Sequence, residues 1–280
     1  MSGGGFVQRA LKHRSFVLGG LLVALLVATA ALSLIWQPWP PAEIDINSRL
    51  QGPNTLHWLG TDSLGRDVAA QLLVGSQTSL LVGVFAVAIG LGAGVLLGLL
   101  AAASGGWVDE AVMRLSDFGF AFPALLSAIL LAAIYGPGLL TGVVAIGVFN
   151  VPVFARTTRA AALQVWSRDY VLAARAAGFG LWGITRNHVL PNIANVLIVQ
   201  ATVQFSTAIL GEAALSFLGL GAQPPRPSWG RMLAEAQTQM FQAPSLAVYP
   251  GAAIALAVLG LNLLGDGLRD LLDPRLARSR

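Results

Sequence analysis

The chain has 280 residues, of which 55% are hydrophobic and only 11% are charged, and its formal net charge is +4. Its mean hydropathy is +0.71. Soluble globular domains carry about 25% charged residues, so this composition excludes an ordinary soluble enzyme or binding module and indicates a membrane protein. Because the chain contains no cysteine, disulfides and thiolate chemistry are also excluded.

Six apolar runs follow one another along the chain, and each is long enough to suggest a membrane span. A bilayer core of ~30 Å needs ~20 helical residues, and backbone groups in lipid are satisfied only by helices or closed barrels. The sequence therefore predicts an all-α polytopic membrane protein with six transmembrane helices. The predicted spans are residues 16–36, 80–103, 118–135, 139–155, 193–218 and 246–264.

The first span permits two interpretations. The basic N-terminus and the triplet Ala28-Thr29-Ala30 resemble a cleavable signal peptide. The apolar run nevertheless continues past that triplet to Trp36, which favours a retained anchor whose outer end is marked by Trp36 and Trp39.

The external segment after this span divides at about residue 68. Its first half is rich in proline, whereas Val68, Leu72, Leu73 and Leu80 suggest an interfacial amphipathic helix over residues 68–81. A plain surface loop is the alternative. Gly136-Pro137-Gly138 predicts a tight turn that makes the third and fourth spans a hairpin.

Four glycines lie seven and then four residues apart on one face of the second span. Small residues at this spacing let helix backbones approach closely in lipid, so they predict helix packing, and a substrate-lining role is the alternative. These residues are Gly83, Gly90, Gly94 and Gly98.

A polar, arginine-bearing stretch separates the fourth and fifth spans. It predicts a short helix over residues 168–177, with Ser167 as N-cap, Asp169 in the first turn and Gly178 just beyond the end. Such a short helix is marginal alone in water, so its small alanines suggest a protein partner. A helix lying on the membrane surface is the alternative.

Two features stand out in the last third of the chain. Glu212 lies inside the fifth apolar run, where a charge is costly, so it is expected either to pair within the protein or to face an aqueous pathway. The external segment that follows predicts a docking surface around Pro224, Pro225 and Trp229, since prolines restrict the backbone. A re-entrant or interfacial loop anchored by Trp229 is compatible with docking. Asp117 and Asp266 fall near span ends and are expected at the interface.

The basic residues predict the orientation, because Lys and Arg are retained on the cytoplasmic side during insertion. With both termini in the cytoplasm, only Arg49, Arg66, Arg226 and Arg231 of the 17 basic residues lie outside. The pI near 10.3 is therefore attributed to membrane topology and not to nucleic-acid binding.

Several motifs together resemble the peptide and nickel branch of bacterial type I ABC importer permeases. The similarity covers about residues 58–275 and rests on Gly-Thr-Asp-x-Leu-Gly-Arg-Asp at 60–67, Leu-Ser-Phe-Leu-Gly-Leu-Gly at 215–221, Trp229-Gly230 and the Asn-Leu-Leu-Gly-Asp-Gly-Leu-Arg-Asp run at 262–270, followed by Asp273-Pro274-Arg275. That last run resembles the C-type permease of the pair. The resemblance implies a sister B-type permease, two ATPase subunits and an external substrate-binding protein in a bacterial cytoplasmic membrane.

The resemblance also assigns a site. Permeases of this kind dock a cytoplasmic loop on the ATPase through an Ala-Ala, Gly and Leu-Pro frame, which is matched by Ala173, Ala174, Gly178, Leu190 and Pro191, with Asp169 and Tyr170 at the start of the helix. Two departures are Leu172, where the branch commonly has Glu, and His188, where the general motif has Ile. Coupling is then expected to be weaker or to use a complementary apolar groove.

The chemistry available to this chain agrees with a transport subunit. Its only lysine is Lys12, so a phosphate-binding GxxxxGK[ST] loop cannot exist, and ATP with Mg²⁺ is expected to bind partner chains. No catalytic residue, cofactor or metal ligand is assigned. Peptides are the preferred substrate and nickel or another small solute is the alternative. An ion-coupled secondary transporter is the main rival class, and an intramembrane aspartyl protease at Asp117 and Asp266 is a weaker one.

These predictions divide the chain into four regions. Residues 1–42 form the N-terminus and first span, residues 43–78 an external loop, residues 79–268 the permease core, and residues 269–280 a cytoplasmic tail. Within the core, residues 156–192 form the coupling segment and residues 219–245 an external loop.

Overall fold

The computed structural model describes residues 4–272, and this part of the chain is almost entirely helical. Apart from one isolated bridge between Thr61 and Asp67, it contains no β-structure. The α-helices in chain order are α1 (Gly4–Lys12), α2 (Arg14–Ile35), α3 (Val68–Ser104), α4 (Gly106–Ala121), α5 (Ala124–Tyr135), α6 (Leu139–Trp166), α7 (Asp169–Ala176), α8 (Leu181–Ile184), α9 (Leu190–Phe217), α10 (Trp229–Ala236) and α11 (Ser245–Leu272).

The predicted all-α membrane fold is confirmed, with one correction to the third span. Within residues 4–272, five helical stretches are long and apolar enough to cross a membrane, and α4 with α5 forms a sixth only as a broken pair bent by 81°. The span predicted over residues 118–135 is not one continuous helix, because α4 ends with Phe122 as its C-cap and Pro123 precedes α5. Proline removes a backbone donor and disfavours helical geometry in the residue before it.

The predicted interfacial helix over residues 68–81 is also corrected. Those residues form the first turns of α3, a continuous helix of 37 residues that is ~55 Å long and so exceeds a ~30 Å bilayer core. Asp67 begins this helix, since its carboxylate accepts a hydrogen bond from the Ala70 amide at 2.7 Å. The predicted region boundary between residues 78 and 79 therefore falls inside one helix.

The glycine stripe of α3 lies against neighbouring helices. A Cβ atom at Gly94 would stand 2.6 Å from the Val151 carbonyl oxygen of α6, and one at Gly98 would stand 2.5 Å from the Ala155 carbonyl oxygen. Gly90 faces Asn150 of α6, and Gly83 faces the Phe205 ring of α9. Contacts this close, with backbone at Gly94 and Gly98 and with side chains at Gly83 and Gly90, leave no space for a larger residue, whereas a Cβ atom on Gly92 of the same helix would meet no atom within 4 Å.

The first long helix, α2, packs against the last one, α11. Gly19 of α2 meets the α11 backbone at Gly260 and Leu264, and Gly267 of α11 meets the backbone of Phe16. This pair lies beside the central helices α3, α6 and α9. Residues 273–280 of the predicted tail, including Asp273-Pro274-Arg275, lie outside the described residues.

Ion pairs connect α4 to α6 on one side of the molecule. Arg159 donates from both its Nε and an Nη atom to the Asp109 carboxylate. Arg156 pairs with Asp117, and its guanidinium lies 4.7 Å from the centroid of the Phe120 ring. These pairs hold the broken α4–α5 element to the central helices.

A continuous helical stretch runs from Leu181 to Phe217, although it contains Pro191. Residues Thr185–Val189 form a π-helical turn between α8 and α9. A proline ring within an α-helix collides with the carbonyl four residues earlier, and a π turn widens the helix locally. The wider turn lets the helix continue through Pro191.

Candidate functional site

Two surfaces at opposite ends of the helices contain the residues that the sequence assigns to function. The coupling segment (residues 156–192) holds α7, α8 and the π turn. The external cap comprises residues 36–67 and 218–244, which connect α2 to α3 and α9 to α11.

The helix predicted over residues 168–177 is present in the coupling segment as α7, Asp169–Ala176. Asp169 lies in its first turn as predicted, but the prediction of Ser167 as N-cap is wrong. Arg168 occupies the N-cap position, whereas Ser167 continues the last turn of α6 and its hydroxyl donates to the Gln164 carbonyl at 3.0 Å. The helix therefore begins one residue later than the sequence suggested.

The end of α7 depends on Gly178, which has a φ of 86°. The Gly178 amide donates to the Arg175 carbonyl at 3.0 Å, and the Phe179 amide donates to the Ala174 carbonyl at 3.2 Å. These two bonds form a Schellman motif, which satisfies carbonyls at a helix end and requires a left-handed residue after it. A Cβ on Gly178 would meet no atom within 4 Å, so the backbone angle alone makes glycine favourable here.

One buried side chain anchors α7 to the rest of the protein. Val171 is 1% exposed and belongs to an apolar cluster with Ile184 and Val189. Ala174 and Leu190 are half-buried against the same cluster. The helix is therefore attached along one side only.

The opposite side of α7 is open to solvent. Its exposed residues include Leu172, Ala173, Ala176 and Ala177, and Pro191 is exposed as well. The rings of Tyr170 and Phe179 each lie 6.3 Å from the His188 ring. Phe179 and Trp182 extend this exposed apolar surface. Neither was predicted from the sequence, because a short segment shows no periodic pattern that would mark an aromatic residue as exposed.

The external cap has a compact interior. Trp229 is 4% exposed, its Nε1 atom donates to the Leu72 carbonyl at 3.0 Å, and its ring lies against Gly75 of α3. The prediction that Trp229 forms part of a docking surface is therefore wrong, because its side chain is used to attach α10 to α3.

Ion pairs also hold the two parts of the cap together. Arg66 bonds to Asp62 at 2.6 Å through Nε and to Glu235 of α10 through Nη2. Burial disfavours the charged guanidinium, but Asp62 and Glu235 outweigh that effect, so the pKa of Arg66 is raised. Glu235 also bonds to Arg231 at 2.8 Å. The Gly-Thr-Asp-x-Leu-Gly-Arg-Asp run thus fastens the first loop to α10, a pairing that its spacing alone did not predict.

One exposed part of the cap is a short proline-rich edge. Pro224, Pro225 and Arg226 are exposed, whereas the residues that follow them are buried. They border a cavity of about 280 Å³ whose wall includes Arg66 and Glu235. Of the three residues predicted for docking, the two prolines are therefore accessible.

Glu212 lies between the cap and the membrane helices and is 3% exposed. Its Oε1 atom accepts a hydrogen bond from Ser216 at 2.7 Å, and Ser79 and Ser228 lie next to the same carboxyl group. Neither the Glu212 Oε2 atom nor the Ser79 Oγ atom has a hydrogen-bond partner within residues 4–272. The surroundings of Glu212 are three serines from α9, α3 and the cap, which favours the buried role over the pathway role.

A family described as "Binding-protein-dependent transport system inner membrane component" matches residues 94–278. A glutathione transport system permease protein of Pectobacterium atrosepticum is 44% identical over 97% of this chain and 90% of its own length. A di/tripeptide transport system permease protein of Pseudomonas aeruginosa is 46% identical over 96% of this chain and 91% of its own length.

Two further comparisons agree with these. A dipeptide transport system permease protein of Alkalihalophilus pseudofirmus is 42% identical over 95% of this chain and 87% of its own length. Among solved structures, an inward-facing MetNI methionine ABC transporter chain gives a TM-score of 0.56 at 21% identity, covering 74% of this chain and 96% of that chain. At this identity the likeness concerns the fold alone.

Proposed function

Because this chain belongs to the family of binding-protein-dependent transport system inner membrane components, we propose that it is the C-type permease of an ATP-driven importer of short peptides. The proposed substrate rests on a single observation, the relatives at 42–46% identity, whose names specify glutathione, dipeptides and di- or tripeptides. All of these are short peptides with charged termini.

The energy for transport is supplied by other chains in this proposal. The chain has no lysine after Lys12 and therefore no phosphate-binding loop. Two cytoplasmic ATPase subunits would bind ATP and Mg²⁺, and a sister B-type permease would complete the membrane passage. The distribution of basic residues supports a cytoplasmic location for the coupling segment and both termini, in a bacterial cytoplasmic membrane.

The exposed side of α7 is the proposed contact with the ATPase. Its surface is mainly alanine with Leu172, and Arg175 forms no ion pair within the described part of the chain. Leu172 is 53% exposed, so an apolar groove with acidic edges would complement this surface. Such a groove on the ATPase would compensate for the absence of the glutamate that the related permeases commonly have at this position.

The proline-rich edge of the external cap is the proposed contact with the substrate-binding protein. Pro224 and Pro225 hold an exposed backbone in fixed geometry, and Arg226 adds a positive charge beside them. ATP-driven closure of the ATPases would move α7 and rotate the membrane helices between inward and outward openings, and the loaded binding protein would bias the same equilibrium. Transport then results from the different affinities of these partners for two conformations of the permease.

Gly178→Val tests the coupling assignment. Valine at a φ of 86° is strained by ~1–3 kcal/mol, so the Schellman motif should be lost and the exposed face of α7 should be displaced. We expect peptide uptake in whole cells to fall to background while the protein still inserts into the membrane at normal levels.

The matched control is Gly180→Val, two residues later. Gly180 has an ordinary extended conformation with a φ of −69°, and a Cβ atom at this position would meet no atom within 4 Å, so valine should be tolerated. If Gly178→Val supports full uptake at normal membrane levels, the coupling role of α7 is wrong.

A further inference from the structure

A large open cavity lies between α6, α7 and α9 and has a volume of about 1030 Å³. Its wall is unusually polar for a membrane protein surface. Six of its lining residues can form hydrogen bonds or carry charge, namely Thr157, Gln164, Arg168, Asp169, Tyr170 and Asn192.

A second concave surface shows what a lipid-facing groove in this protein looks like. The groove between α2, α3 and α11 has a volume of about 480 Å³ and is lined almost wholly by leucine, alanine and tryptophan. Acyl chains fit such a surface. Charged side chains near a membrane instead face partners or aqueous paths, so the polar cavity is not expected to face lipid.

The polar groups of the cavity are available to a ligand. Arg168 and Asp169 are adjacent, opposite in charge and exposed, and neither forms an ion pair with any residue in the range 4–272. Asn192 donates through Nδ2 to the His188 carbonyl at 2.6 Å, which leaves its Oδ1 atom free to accept. The amide of Gln164 offers both a donor and an acceptor.

We propose that this cavity binds the backbone and charged termini of a short peptide on its way to the cytoplasm. Arg168 would contact the terminal carboxylate, Asp169 the terminal ammonium, and the amides of Gln164 and Asn192 the peptide bond. These groups are common to all short peptides, so recognition here is independent of the peptide's side chains. The inference rests on the proposed function, since it assumes that peptides are the cargo.

The position of the cavity also links the cargo to the ATPase. Asp169 and Tyr170 belong both to the cavity wall and to the first turn of α7. A displacement of α7 therefore moves two of the groups that hold the peptide. Release of the peptide would follow from the same motion that the ATPases impose.

Photolabelling in the complete transporter tests this placement. The permease pair, the ATPases and the binding protein are reconstituted in liposomes with ATP and a dipeptide that carries a benzophenone side chain. We expect peptide adducts within residues 157–170 or 192–196 by mass spectrometry. Adducts confined to the α2–α3–α11 groove or to the sister permease, in a preparation that imports the peptide, would overturn the inference.

Gln164→Leu provides a second measurement that does not alter α7. Losing one hydrogen bond to the peptide should lower the peptide imported per ATP hydrolysed about three- to tenfold, while ATP hydrolysis stimulated by the loaded binding protein stays unchanged. Gln242→Leu, the same change at an exposed position in the external cap, should leave both values unchanged. An unaltered ratio in Gln164→Leu overturns the inference.

The two proposals fail in different ways. If the unmodified complex imports no peptide, the proposed function is wrong and the cavity is excluded as a peptide site together with it. If peptide import is normal and only the adducts or the ratio contradict the prediction, the proposed function stands and the cavity assignment alone is wrong.

Discussion

The two ends of this permease each contain a helix of eight residues, α7 in the coupling segment and α10 in the external cap. Their environments differ sharply. Val171 is the one buried residue of α7, whereas α10 buries Trp229, Gly230, Met232 and Ala236. The α10 backbone lies so close to α9 that Gly230 touches the Ala213 carbonyl.

This difference shows that the chain buries α10 against its own helices and leaves most of α7 unburied. A helix of eight residues is marginal in water without tertiary contacts. Helices α3, α9 and α11 supply those contacts to α10, so the position of α10 is set within the permease. The coupling segment supplies α7 with one buried anchor and a glycine-terminated end, which leaves most of the α7 surface exposed.

Replacing a tryptophan at each end should show the largest difference. Trp229→Ala removes a ring that is 4% exposed and a hydrogen bond to α3, and we expect a loss of ~3–5 kcal/mol in unfolding free energy. Trp182→Ala removes a ring that is 67% exposed and should leave stability unchanged. Thermal unfolding of the purified permease pair in detergent measures both.

The two substitutions should rank in the opposite order in their effect on ATPase binding, after the loss of folded protein is corrected for. Trp182→Ala is expected to weaken ATPase binding, since the ring extends the exposed apolar surface of the coupling segment, and co-purification yield reports this. Equal destabilisation by the two substitutions would contradict the contrast between the ends.

An intermediate effect is expected from Val171→Ala. The change removes two methyl groups from the apolar cluster that contains Ile184 and Val189, at a cost of ~1–2 kcal/mol. Because this is the only fully buried anchor of α7 within the described residues, the helix should detach locally while the global unfolding temperature changes little. Hydrogen exchange at the α7 amides measures local opening, and a uniform increase across all helices would argue against a separate coupling unit.

The smallest effect is expected from Glu212→Gln. Glutamine keeps the acceptor for Ser216 and adds a donor that can reach the free Ser79 hydroxyl, so stability should change by less than ~1 kcal/mol. Glu212→Leu should cost ~1–3 kcal/mol because the serines lose their partner. Peptide uptake by the glutamine variant should be normal, whereas abolished uptake with normal stability would revive the proton-coupled alternative.

Much of the fold followed from local patterns. Apolar length identified the five long spanning stretches, and the glycine spacing of α3 identified the face on which Gly94 and Gly98 lie. Gly178 was recognised as a helix terminator because its left-handed conformation is a local requirement. These features depend on a few neighbouring residues, which a single sequence displays.

The larger errors involve contacts between distant segments. Trp229 was predicted to be an accessible interfacial anchor, although α3 covers it. Residues 68–81 were predicted to form a separate interfacial helix because of their apolar face, although they continue directly into the rest of α3. Arg66 and Glu235 are 169 residues apart, so their pairing leaves no local pattern. Within the site, the polar cavity beside α7 likewise forms only when α6 and α9 come together.

The uninterrupted helical stretch Leu181–Phe217 has 37 residues and a length of ~55 Å. Its inner end lies beside α7, and Glu212 near its outer end touches the cap. Such a rod would act as a lever if it moved as one body, since a tilt of about 10° at one end displaces the other by roughly 10 Å. A displacement imposed by the ATPase would then be transmitted along the helix to the side of the binding protein without a series of small rearrangements. This transmission depends on the π turn, because it keeps the helix continuous at Pro191.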